Sequence, residues 1–171
     1  MPGSPYAARF RRDLPLAAQA SLPPESPLTC RASTGARGWA AVPWLACFDP
    51  RITRSMRRGV YVAIFIVSAR AQVVLALQHG AEDMLDRHGL QGGLQALSAR
   101  AQNLREVAGP IPGLRPGPSD LGATAPLPRG YQAGTILQAA WPAERICDGT
   151  LSVAFRDLAA RYLRLVDKGA F

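Results

Sequence analysis

Four arginines, Arg51, Arg54, Arg57 and Arg58, fall between an aromatic segment, Trp39 to Phe48, and an apolar run, Val60 to Val67. Guanidinium groups at that density attract polyanions, and phosphate contacts of this kind position a protein on a nucleic acid without reading its sequence. The plain alternative is a solvated hairpin loop. The charge of the whole chain points the same way as the loop. The net charge is +8, and residues 1–80 hold ten arginines against Asp13, Glu25 and Asp49, or +7, whereas residues 81–171 hold +1. A basic half of this kind favours acidic partners.

Catalytic patterns are missing from the same residues. Nucleotide hydrolysis by a motor domain needs a Gly-x-x-x-x-Gly-Lys-Ser/Thr phosphate loop, and the single lysine, Lys168, stands in no such motif. Glu25, Glu82, Glu106 and Glu144 show no metal-nuclease spacing with Asp and Lys partners. His79 and His88 have no helix-spaced carboxylates to complete a metal site. Cys30, Cys47 and Cys147 are odd in number and form no Cys-x-x-Cys pair, which predicts no disulfide framework and a reducing, cytoplasmic setting. The chain therefore reads as a binding module without a cofactor rather than an enzyme.

The elements that must carry these residues follow from periodicity. Val60, Val62, Ile64 and Ile66 alternate with Tyr61, Ala63, Phe65 and Val67, which predicts a strand buried on both faces. Ser68 to Gln72 connects it to a second strand from Val73 to Leu77. Trp39 to Phe48 predicts an earlier strand with a bulge or edge at Pro43, which cannot donate a ladder hydrogen bond, and Asp49-Pro50-Arg51 predicts a turn. Tyr6, Phe10 and Leu14 predict one face of a helix interrupted at Pro15, ahead of a loop from Leu22 to Pro27. Helical signals run from Gly80 to Gly89 and resume through Leu94, Leu97, Ala101 and Leu104. Gly109 to Pro128 reads as a long loop, Tyr131 to Trp141 as a strand, and Leu151, Phe155, Leu158, Tyr162 and Leu165 as a core-facing terminal helix. The sum is one α+β domain with a mostly antiparallel, curved sheet of about four strands flanked by helices. Residues 1–30 form a helix and a Pro-rich loop ahead of the main body, 31–171.

An export leader competes for part of this stretch. Met56-Arg-Arg, an apolar run from Gly59 to Ser68 and Ala69-Arg70-Ala71 ahead of Gln72 have the order of a basic region, a hydrophobic region and a cleavage site. The run is too short to span a bilayer, which takes about 20 apolar residues. An internal start would also leave the aromatic segment Trp39 to Phe48 without purpose.

Several stretches taken in order resemble one family. They are Arg11-Arg-Asp-Leu-Pro15, Ser33-Thr-Gly35, Trp39-Ala-Ala-Val-Pro-Trp-Leu-Ala46, Phe48-Asp-Pro-Arg-Ile-Thr53, Arg58-Gly-Val-Tyr-Val62, Val74-Leu-Ala-Leu-Gln78-His-Gly80, Asp120-Leu-Gly122 and Arg129-Gly-Tyr-Gln-Ala-Gly-Thr-Ile136. Together they look like the MrcB-like N-terminal domain of McrB-type modification-dependent restriction proteins. The resemblance implies that the chain binds double-stranded DNA and recognises a modified cytosine, such as a methylated one, by turning it out of the duplex into a pocket. It implies Trp44 as the wall on which the base stacks, with Tyr61 and Phe65 lining the same cavity and Leu127 closing it. It also implies phosphate contacts from Arg51, Arg54, Arg57 and Arg58, and a separate motor or nuclease subunit as the source of any cleavage. Relatives commonly show Gly-x-Gly-Asn before the aromatic residue, with a large side chain between the glycines that helps displace the base. Here that place is Ala36 and Arg37 follows it, so either Arg37 inserts into the stack or flipping is impaired. A protein-interaction module that has lost its DNA pocket, and a small exported protein starting at Met56, are the other readings.

Overall fold

The computed structural model describes residues 4–35 and 39–171. The chain runs α1 (Pro5–Ser21), β1 (Thr29–Ser33), β2 (Trp44–Phe48), β3 (Val60–Val67), β4 (Gln72–His79), α2 (Glu82–Ala108), β5 (Arg115–Pro116), α3 (Pro126–Ala133), β6 (Thr135–Pro142) and α4 (Thr150–Asp167). The strands make one sheet in the order β1-β2-β3-β4-β6-β5, and every neighbouring pair is antiparallel. The fold is α+β as the sequence predicts, with six strands rather than about four.

Strand β3 explains how one sheet supports two cores. Val60 and Val62 belong to a cluster with Leu75 and Leu77 of β4, Ala18 of α1 and Leu22 just after it, and Phe155, Leu158 and Tyr162 of α4. Tyr61, Ala63, Phe65 and Val67 point the opposite way, into a cluster with Phe48, Val74, Ala76, Leu97 and Tyr131. The predicted alternation is thus realised on both faces. Met56, the first residue of the export reading, is also buried in the second cluster. Removal of the chain through Ala71 would take away β1, β2 and β3.

Several boundaries differ from the sequence reading. The strand predicted from Trp39 begins at Trp44; Pro43 ends the preceding loop, and its carbonyl accepts the Ile66 N–H at 2.8 Å, extending the β2–β3 pairing by one bond. Strand β1, which the sequence reading does not include, runs over Thr29–Ser33, and Cys30 and Ala32 pack against the same core as Ala18 of α1. Helix α1 continues through Pro15 and buries Ala7 and Ala18, while Tyr6 and Leu14 of the predicted face are exposed. Docking of Ala18 and Leu22 overrides the helix-breaking tendency of the proline. Tyr131 and Leu127 lie in α3, not in a strand and a loop, because β6 starts only at Thr135.

Cys30 and Cys47 are register partners across β1 and β2 and are joined as a disulfide, leaving Cys147 free and exposed. This corrects the expectation of no disulfide, which rested on spacing and missed the strand that brings the pair together. It also removes the cysteine pattern as an argument for a reducing compartment. Among the described residues no helix is long and apolar enough to cross a membrane.

Candidate nucleic-acid interface

A cleft of about 460 Å³ opens on the face of the sheet opposite α4. Its floor is Trp44, Phe48 and Val42, and its far wall is Leu127, Pro128 and Tyr131 of α3. Arg31 and Ser33 of β1 line one side, and Arg54, Ser55, Met56 and Arg57 of the β2–β3 loop line another. Trp44 sits between Ser33 and Phe65 in the sheet register and is half-buried, so part of its indole faces the opening.

Tyr61 and Phe65 stand one layer behind this cleft rather than in its lining, since both have no exposed surface. The Phe65 ring packs on Tyr131 at 5.5 Å between centroids, and the Tyr61 ring meets Phe48 edge to face at 5.2 Å. The Tyr61 hydroxyl donates to the Met56 carbonyl at 3.2 Å, fixing the end of the arginine loop. Burial raises the pKa of Tyr61 well above the ordinary phenol value, and burial followed by the Glu82 charge does the same for Tyr131. Both hydroxyls therefore stay protonated.

A buried polar knot holds the α3 wall against the sheet. Gln78 Nε2 donates to the carbonyls of His79 and Tyr131, both at 2.9 Å, and Thr135 Oγ1 donates to Gln78 Oε1 at 3.0 Å. Arg105 of α2 donates to the Thr135 and Ile136 carbonyls at 2.9 Å. Each buried group is satisfied, so the knot fixes one geometry instead of imposing a desolvation cost.

The loop arginines differ in their freedom. Arg51 grips the fully buried Asp49 carboxylate through Nε and Nη2, with Nη2–Oδ2 at 2.6 Å, and reaches Asp167 of α4 at 2.9 Å. These hydrogen bonds raise the Arg51 pKa and lower that of Asp49. Arg51 thus ties the loop to α4 and lies outside the cleft lining. Arg57 lines the cleft but meets three carboxylates at the start of α2: Glu82 at 2.6 Å, Asp83 at 3.0 Å and Asp86 at 2.9 Å. Arg54 and Arg58 are exposed and make no side-chain hydrogen bond or ion pair among the described residues, and only Arg54 of the two lines the cleft. Arg31, which sequence reasoning missed, is equally free and stands on the cleft face of β1.

Ala36 and Arg37 lie outside the described residues. The described residues on either side of them pack on α1: Arg11 Nη1 donates to the buried Thr34 hydroxyl at 3.0 Å, and Phe10 meets Trp39 edge to face at 6.1 Å. Gly35, the last described residue before them, lines the cleft.

The model of one protein family, described as the MrcB-like, N-terminal domain, matches residues 1–165. No curated protein matches the chain.

Proposed function

The chain belongs to the MrcB-like N-terminal domain family, and from that premise we propose that this McrB-type DNA-binding module reads a modified cytosine turned out of duplex DNA into the cleft beneath the arginine loop. The observation that carries the reading is the convergence of a half-buried Trp44, the apolar wall of Leu127 and Tyr131, and the free cations Arg31 and Arg54 around one opening. Its volume falls within the roughly 300–1,000 Å³ of small-molecule pockets. Stacking on an aromatic face contributes about 1–3 kcal/mol per base, which offsets much of the few kcal/mol needed to unstack it. Tyr61 and Phe65 act from behind, holding the floor and the α3 wall in place.

Arg31 and Arg54 supply phosphate contacts, and Arg58 extends them outside the cleft. Discrimination of methylated from plain cytosine by apolar contact is modest, because one buried methylene-sized group contributes about 0.8 kcal/mol. Cleavage falls to a separate motor or nuclease subunit.

The test is fluorescence anisotropy with matched duplexes carrying plain, methylated or hydroxymethylated cytosine, for the wild type and Trp44→Ala, at two salt concentrations. Salt-sensitive binding that prefers a modified duplex and loses that preference in Trp44→Ala is the expected result. No duplex binding at low salt would refute it and favour a protein-interaction module.

A further inference from the structure

Apolar walls leave one ambiguity in a pocket that reads methylated cytosine. Thymine carries the same C5 methyl, and the two bases differ on the edge where cytosine presents an N4 amino donor and thymine an O4 acceptor. Trp44, Val42 and Leu127 contact rings and methyls of both alike. Serine and tyrosine hydroxyls discriminate little, because they rotate to donate or accept. A fixed group that accepts but cannot donate would separate the two bases.

Among the described residues lining the cleft, Glu82 is the one carboxylate. Its Oε1 lies 2.6 Å from Arg57 Nη1, while Oε2 has no hydrogen-bond partner among the described residues. Arg57 is itself held at Nε by Asp83 at 3.0 Å and at Nη2 by Asp86 at 2.9 Å, so the Glu82–Arg57 pair is oriented from behind. The pair offers an ionised acceptor beside a fixed donor. Cytosine presents the complement, its N4 amino donor beside the N3 acceptor, and thymine presents the reverse order. An acid in a cleft that faces a polyanion opposes binding unless it meets a donor, and the exocyclic amine of cytosine is such a donor.

We propose that Glu82, oriented by Arg57, is the residue that distinguishes cytosine from thymine in this cleft; the proposal rests on the base-reading function above. Charged hydrogen bonds to a base edge discriminate by about fivefold to a hundredfold.

The experiment uses the full chain and duplexes with 5-methylcytosine, cytosine or thymine at one position, each opposite an abasic site so that no pairing is lost on flipping. The wild type is expected to bind the 5-methylcytosine duplex at least about fivefold more tightly than the thymine duplex. Glu82→Gln offers an amide that also donates to O4, and its ratio is expected to fall to within about twofold. Glu82→Ala, which adds no donor, is expected to lose the ratio as well. A wild type that prefers methylated to plain cytosine yet binds thymine equally, or variants that keep the wild-type ratio, would overturn the role of Glu82 alone. A wild type indifferent to all three bases would overturn base reading and this inference together.

Discussion

Exchange of Arg54 and of Arg51 for glutamine separates a nucleic-acid contact from a structural tie. Arg54 is exposed, lines the cleft and makes no side-chain hydrogen bond or ion pair among the described residues, so its guanidinium is free to replace a counterion on a phosphate. Each such replacement contributes about 0.9 to the slope of log affinity against log salt. Arg54→Gln is therefore expected to flatten the slope by about 0.9, which over a fourfold rise in salt is about a 3.5-fold difference in affinity. Arg51 is saturated by Asp49 and Asp167, so Arg51→Gln should leave the slope unchanged. It should instead lower the thermal midpoint, because the fully buried Asp49 loses its counter-charge. The assay is anisotropy titration at four or five salt concentrations, with melting curves for each variant. Equal flattening by both substitutions would refute the division between free and tied arginines.

Phe65→Ala should act first on stability. The ring is fully buried against Tyr131, and its removal is expected to cost about 3–5 kcal/mol, seen as a fall in denaturation midpoint; a loss of base preference without loss of stability would instead make Phe65 a direct contact. His79 sets a pH dependence. It is buried, and desolvation lowers its pKa below the ordinary value of 6.5, so the unfolded state binds the proton more readily and stability is full above about pH 6.5 and falls as the pH drops toward the depressed folded value. Melting at pH 7.5 and 5.5 should show this decline, and His79→Gln should reduce it.

The central part of the fold was legible because its signals are local. Two interleaved apolar sets in Val60–Val67 specify a strand between two cores, and the spacing of Phe155, Leu158, Tyr162 and Leu165 specifies α4. Gly89 in the sequence predicts the end of a helix, and it breaks α2 with φ of 67°, a positive φ that glycine adopts without a Cβ penalty. The edges were illegible for a related reason. Strand β1 reads Thr-Cys-Arg-Ala-Ser, and its alternation rests on the small Cys30 and Ala32 alone, too weak a signal over five residues at the sheet edge to mark a strand. At the cleft, Trp44 and Leu127 were reached through a resemblance, whereas Arg31, Glu82 and Tyr131 come from β1, α2 and α3 and meet only in three dimensions. Charge count alone could not separate Arg51 from Arg54, because Arg51 is held by the turn that folds it back on Asp49 and by Asp167 of α4, whereas Arg54 meets no carboxylate among the described residues.

The strand order has a consequence for how the molecule is made. Strands β1 to β4 are consecutive in the chain and zip together as successive antiparallel neighbours, but the other side of β4 is covered by β6, which follows only after α2 and α3. At about 5–20 residues per second, a ribosome that has released His79 needs roughly 3–13 s more to deliver Pro142. During that interval β4, with Val73 to Leu77 apolar throughout, presents an open hydrogen-bonding edge of the kind that recruits other chains. The nascent protein is then most exposed to aggregation, and chaperone demand should track the late arrival of β6 rather than the stability of the finished domain.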